Sequence, residues 1–326
     1  MGILGSLRSG AKGGALGIAH IAGMTQQTFQ IPACGKRPPL FVRRQPRSGA
    51  PPVLYVHGAT FPSALSAGFD FGGGSWMDDW NARGLDAWAF DFAGFGESGR
   101  WPAMREPADH RPPLGRAADA VEQVTAVLAL IHERTGRSAS LVAHSWGSMP
   151  AGLAATKAPQ LVDRLVLFGP IARRAAAVPL ALPAWSDITI EAQHARFIED
   201  VPEGHPPMLA AFDRWAPAYL ASDPEAATRM PPAVRIPNGP RADNLDALSG
   251  RLAWDPARLT RPLHIVRGAW DSLCRDPDAT MLLKVAVSAP ERSDRKLEAG
   301  THLMHLENGR RALYEAVGQA LKGATP

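Results

Sequence analysis

The sequence predicts an α/β protein: a mostly parallel central sheet flanked by helices, with a helical segment inserted between two late strands. Three observations carry that prediction. Short apolar runs alternate with helix-like stretches from residue 28 to residue 170, the pattern of a parallel sheet covered on both faces. The alternation stops over 171–260, a stretch holding 12 of the chain's 30 prolines. It then resumes to the end of the chain. An excursion of that length between two strands exceeds an ordinary loop and reads as a lid or cap.

The elements follow in order. "TFQIPA" and "LFVRRQ" form an opening hairpin-type pair, and "PPVLYVHG" (51–58) is a buried strand bounded by proline and glycine. "SWMDDWNARG" (75–84) is a short helix that Ser75 caps and Gly84 ends. "LDAWAFDF" (85–92) is the next strand. In 115–136, Ala118, Val121, Val124, Val127, Leu128 and Ile131 share one helical face. Strand "SLVAHS", helix "WGSMPAGLAATKA" and strand "DRLVLFG" come next. Within 171–260, Trp185, Phe197, Phe212, Trp215, Tyr219 and Trp254 are scattered among proline turns. They indicate short helices rather than more sheet, with most aromatics packing and a minority lining a substrate pocket. Strand "RPLHIVRG" (261–268), a helix around 277–288, strand "RKLEAG" (295–300) and a helix over 309–323 close the chain. The domain reading is a flexible leader at 1–27, a core at 28–170 and 261–326, and a lid or cap at 171–260.

Composition narrows the function. With 45% hydrophobic and 20% charged residues, the chain can build a sizeable core. The net charge of +4 is spread without a block of like charges, which argues against a nucleic-acid partner. No run approaches the ~18 apolar residues of a membrane span. Cys34 and Cys274 have no disulfide or metal-like spacing, and His20, His110, His194, His205 and His264 do not cluster as metal ligands. No cofactor is implied. The first 23 residues carry Arg8 and Lys12 before a glycine-broken apolar stretch without a clear cleavage site, and Met24 offers a second start. A cytoplasmic location is expected, with export the minority alternative.

The chemistry gathers at strand ends, where a parallel sheet places its active groups. "LVAHSWGS" puts Ser145 on a strand-to-helix turn, with the small residues Ala143 and Gly147 two positions either side. The helix start leaves backbone N–H groups beside the serine, that of Trp146 first among them. "YVHGAT" ends a strand on His57-Gly58, so that the N–H of Ala59 can supply a second oxyanion donor. "VRGAWDSL" places Asp271 just beyond a later strand, and "EAGTHLMHLENG" places His302 beyond the last one. Asp276 and Asp278 read as turn and helix-cap residues, Asp91 as the organiser of the "AGFGES" turn, and His144 as a packed or hydrogen-bonded neighbour.

With "VHGA", "FDFAGFGES", "AHSWGS", "RGAWD" and "GTHLMHLE" in this order, the chain resembles the α/β-hydrolase superfamily from about residue 28 to residue 323. The resemblance implies a triad of Ser145 as nucleophile, His302 as base and Asp271 as its orienting acid, with an oxyanion hole at Ala59 and Trp146. It makes His305 a structural companion. Serine at the turn, rather than aspartate, points away from the dehalogenase and epoxide hydrolase branches, and "HGAT" in place of "HGGG" points away from the hormone-sensitive-lipase branch. "SWGS" resembles the proline iminopeptidases, whose "HGGPG" is absent. Ester or lactone hydrolysis leads on this reading; amide, peptide or carbon–carbon bond hydrolysis and a non-catalytic ligand-binding role stay open. The Trp, Phe, Met and Leu content of the lid implies a small, largely apolar ester-type substrate enclosed away from water.

Overall fold

A computed structural model describes residues 15–21, 24–175, 181–206 and 211–322. In chain order the elements are β1 (Ala15–Ile21), β2 (Met24–Ile31), β3 (Leu40–Gln45), β4 (Pro52–Val56), α1 (Trp76–Ala82), β5 (Asp86–Phe90) and α2 (Ala117–Thr135). They continue with β6 (Ala139–His144), α3 (Ser148–Lys157), β7 (Val162–Phe168), β8 (Trp185–Thr189), α4 (Ile190–Ile198) and α5 (Phe212–Ala221). The last are β9 (Ala233–Pro237), α6 (Gly239–Leu248), β10 (Leu263–Gly268), α7 (Asp276–Val285), β11 (Arg292–Leu297) and α8 (Arg310–Lys322).

Nine strands form one sheet in the order β1-β2-β3-β5-β4-β6-β7-β10-β11. The pairings from β5 through β11 are parallel, and β1, β2 and β3 add on antiparallel. Every residue of β4, β5, β6 and β10 is buried, as expected of strands covered on both faces. Alternation divides their side chains. Leu54 and Val56 face a core with Val124, Val127 and Ile131 of α2, while Val53 and Tyr55 face Trp76 and Trp80 of α1 and Tyr314 and Val317 of α8. On that second face Trp76 and Tyr314 stack at 4.9 Å and 7°.

The sheet order sets the position of the site. From β4 the chain moves outward to β5 on one side, then returns to place β6 on the other. Helices that follow β4 and β6 therefore leave in opposite directions, opening a crevice beyond the carboxyl ends of these strands.

Two readings from the sequence need correction. Residues 15–21 and 24–27, assigned to a flexible leader, lie in β1 and the start of β2, because β2 offers its free edge to β1 in an antiparallel pair. Residues 1–14 of that leader lie outside the described residues. The segment between β7 and β10 is also not purely helical. Strands β8 and β9 pair antiparallel within it, with Ser186 opposite Ile236.

This insert is tied firmly to the core. The indole of Trp215 in α5 donates to the carbonyl of Leu65 at 2.9 Å and packs against Phe61, with Tyr219 stacked on its other side. From α6, Asp243 accepts from the Arg116 guanidinium at 2.5 Å and from the backbone N–H of Ala117, at the start of α2. None of the described residues of the sequence is in a helix long and apolar enough to cross a membrane.

Candidate active site

Ser145 follows the last residue of β6 with φ of 56°, a left-handed conformation rare for a residue with a side chain. The turn is forced by what crowds it. A Cβ on Gly147 would sit 2.5 Å from the carbonyl oxygen of His57 and 2.7 Å from that of Val56, so only glycine lets the turn pack against the end of β4. Trp146, 1% exposed, is anchored through its indole N–H to Asp243 Oδ2 at 2.8 Å. The backbone N–H of Trp146 stands in the first helical turn, where no preceding helical carbonyl is in place to accept it.

The end of β4 supplies the facing wall. His57 makes two hydrogen bonds: its Nδ1 donates to the carbonyl of Gly58 at 2.8 Å, and its Nε2 accepts the N–H of Phe92 at 3.0 Å. This pattern requires a neutral ring. Burial is the main cause that pulls the His57 pKa down to about 4, which keeps it neutral. By holding the Gly58 carbonyl, His57 fixes the Gly58–Ala59 peptide plane. In a trans peptide the Ala59 N–H then points to the opposite side.

Two loops beyond β10 and β11 bring Asp271 and His302 together. The N–H groups of Ala269 and Trp270 donate to the carbonyls of Leu297 and Gly300, so the loop carrying Asp271 lies along the loop carrying His302. His302 Nδ1 lies 3.0 Å from each carboxylate oxygen of Asp271. Oδ1 of Asp271 also accepts the N–H groups of Leu273 and Cys274, each at 2.9 Å. Burial alone would raise the Asp271 pKa, but the His302 charge and these hydrogen bonds outweigh it and hold the carboxyl below its ordinary value. Gly169, just past β7, makes room for the pair, since a Cβ there would meet Asp271 Oδ2 at 2.7 Å and His302 Nδ1 at 3.1 Å.

With Nδ1–H committed to Asp271, the other ring nitrogen of His302 is the basic one, and this buried Nε2 has no hydrogen-bond partner among the described residues. The backbone of His302 is held from two sides. His144 Nε2 donates to the His302 carbonyl at 2.9 Å, and the buried Glu307 accepts from both the N–H and the hydroxyl of Thr301. His305 stacks between His144 and Phe61 without touching the acid. Asp91 accepts from Ser63 and from the N–H of Glu97, ordering the turn after β5, and Asp278 caps α7 while pairing with Arg174.

Ser145, His302 and Ala59 line one cavity of about 480 Å³. Its far side is built by the insert, through Ile188, Gln193, Ile236, Arg241, Asn244 and Leu245 among others. None of the insert's six aromatic residues lines it, contrary to the sequence reading. Phe197, Phe212, Trp215 and Tyr219 form instead a stacked cluster that holds the insert together. Sequence reasoning also missed Asp243 and Arg241. Neither belongs to a local motif, and Asp243 meets Trp146 from 97 residues away.

A serine on a strained turn, a histidine with a free basic nitrogen and a buried carboxylate behind it surround one crevice. A family model described as serine aminopeptidase, S33, matches residues 74–309, well over half of the chain. The chain belongs to this family of α/β-hydrolases. No functionally curated protein matches it in sequence. Among solved structures it is similar to the 2-hydroxy-6-oxo-6-phenylhexa-2,4-dienoate hydrolase of a Rhodococcus species at 18% identity and a TM-score of 0.57, over 91% of this chain and 98% of that one. It is also similar to a Nitrososphaera gargenis structure described among carboxylesterases, at 10% identity and a TM-score of 0.57, over 94% and 98% of the two chains. A Bradyrhizobium elkanii haloalkane dehalogenase variant aligns at 21% identity and a TM-score of 0.56, over 91% and 97%. These neighbours share the fold while their named chemistries differ, so the α/β-hydrolase fold does not select a substrate.

Proposed function

We propose that the protein is a serine hydrolase that cleaves a carboxylic ester or lactone through an acyl-enzyme, using Ser145, His302 and Asp271. The observation that carries this reading is the Asp271–His302 pair, whose remaining nitrogen is unpartnered in the same cavity as the strained Ser145. His302 Nε2 takes the Ser145 proton as Oγ attacks the carbonyl carbon, and Asp271 stabilises the imidazolium. The N–H groups of Ala59 and Trp146 receive the negative oxygen of the tetrahedral intermediate. Its collapse expels the alkoxide, which takes the proton back from His302. A water then repeats the sequence on the acyl-enzyme, with His302 again the base, and frees the acid. The insert closes the cavity as a lid, excluding bulk water from the intermediate.

An aminopeptidase reading is less well supported by the lining. A free N-terminal ammonium calls for a carboxylate, and among the described residues the cavity wall carries Arg196 and Arg241 but no Asp or Glu.

The test is hydrolysis of p-nitrophenyl acetate and butyrate by the wild-type protein and by Ser145→Ala, Asp271→Asn and His302→Ala. Each variant should remain folded by circular dichroism and lose roughly 10³-fold or more of kcat. Full activity in His302→Ala would overturn the mechanism, and loss confined to His305→Ala would move the base.

A further inference from the structure

Resting on the serine-hydrolase reading, we propose that Arg241 binds a carboxylate carried by the substrate, so that the enzyme acts on esters or lactones bearing a second, anionic acid group. Residues of α4 and α6 form part of the cavity wall. On α6, Arg241, Asn244 and Leu245 stand three and four residues apart and so share one face. The acids nearest in sequence are committed elsewhere: Asp243 to Arg116, Trp146 and the start of α2, and Asp246 to Arg116 and Arg251. Arg196, the other cation of the wall, pairs with Glu199 on its own helix.

Arg241 is solvent-exposed at the cavity that Ser145 lines, and it has no ion pair or hydrogen bond among the described residues. Two amides line the same cavity. Asn244 Oδ1 is buried without a partner, and Gln193, 1% exposed, has only the Tyr219 hydroxyl against its amide. Orphaned polar atoms of this kind are expensive inside a protein, and their grouping around an uncommitted guanidinium describes a polar pocket. The same cavity wall also carries the apolar Ile188, Ile236 and Leu273. On this proposal an aliphatic chain joins the reacting carbonyl at Ser145 to a far carboxylate on Arg241. The planar fork of a guanidinium matches a carboxylate in two parallel hydrogen bonds, whereas a neutral chain end leaves it unused.

The experiment compares kcat/KM for p-nitrophenyl butyrate and mono-p-nitrophenyl glutarate, which differ by a terminal carboxylate, in wild type, Arg241→Ala and Arg241→Lys. The wild type should prefer the glutarate ester by about 10-fold or more, and that ratio should fall by about 10-fold in Arg241→Ala, with part of it kept in Arg241→Lys. An unchanged ratio in Arg241→Ala overturns the proposal. If neither ester turns over, calorimetric titration of Ser145→Ala with monomethyl glutarate reads the anion site directly. Binding that disappears on adding Arg241→Ala supports it, and no binding, or binding indifferent to Arg241, overturns it. Labelling of Ser145 by a fluorophosphonate reports the hydrolase reading separately.

Discussion

Ser145 carries backbone strain that its proposed role as nucleophile accounts for. Its φ of 56° is an arrangement that costs about 1–3 kcal/mol for a residue with a side chain, and the chain accepts it because Gly147 and the end of β4 leave no other path. Replacing it with glycine should therefore raise the unfolding free energy by about 1 kcal/mol while abolishing turnover, whereas Ser145→Ala should abolish turnover without that gain. Denaturant unfolding of the two variants checks the difference. The buried histidines act on stability through pH. Burial, chiefly, holds His57 at about 4; burial and then the His302 charge hold His305 at about 3. In the unfolded chain both titrate near the ordinary histidine value of 6.5. Between these values the unfolded chain binds more protons than the folded one, so stability is present above the unfolded pKa and is lost as pH falls. The melting temperature should drop between about pH 7 and about pH 5, and less steeply in His305→Phe, where one of these rings can no longer titrate.

Among the elements, α6 couples the insert to the nucleophile turn. Asp243 holds Trp146, Arg116 and the start of α2 at once. Burial raises its pKa more than these partners lower it, so its charge is carried at a cost. Removing the whole acceptor should be worse than removing the charge. Asp243→Ala is expected to destabilise the fold by about 2–3 kcal/mol and to lower kcat by loosening Trp146, with Asp243→Asn milder in both; thermal melts and steady-state kinetics together decide it. The same element marks where the sequence stops being legible. Strands β4, β5 and β6 announce themselves as mostly apolar runs, because both faces are buried. β8 and β9 carry no such run: "WSDIT" and "AVRIP" become strands by pairing with each other across more than forty residues. The edge strand β11 lies at 292–297 rather than 295–300, and five of its six residues are exposed, so no hydrophobic period marks its ends.

For the molecule as a whole, the legible part and the hidden part have different physical origins. Ser145, Asp271 and His302 each sit at a strand end within a local motif, and a turn of that kind needs particular small residues beside it, such as Gly147. The wall facing them comes from the insert, whose residues Gln193, Arg241 and Asn244 gain meaning only when α4 and α6 are laid over the crevice. Their identity follows from packing, not from spacing, and of the insert's aromatic residues the expected majority packs, as Phe197, Phe212, Trp215 and Tyr219 do, while the minority expected to line the pocket is not found there. On the proposed reading, the core supplies the nucleophile and the insert decides what reaches it.

The most direct measurement is peptide mapping by mass spectrometry of the protein quenched during turnover of p-nitrophenyl butyrate, with a fluorophosphonate-treated sample in parallel. The account predicts one butyryl group and one phosphonyl group on the peptide containing Ser145, both lost in Ser145→Ala. Turnover that proceeds without any adduct on Ser145, or an adduct on another residue, would contradict it.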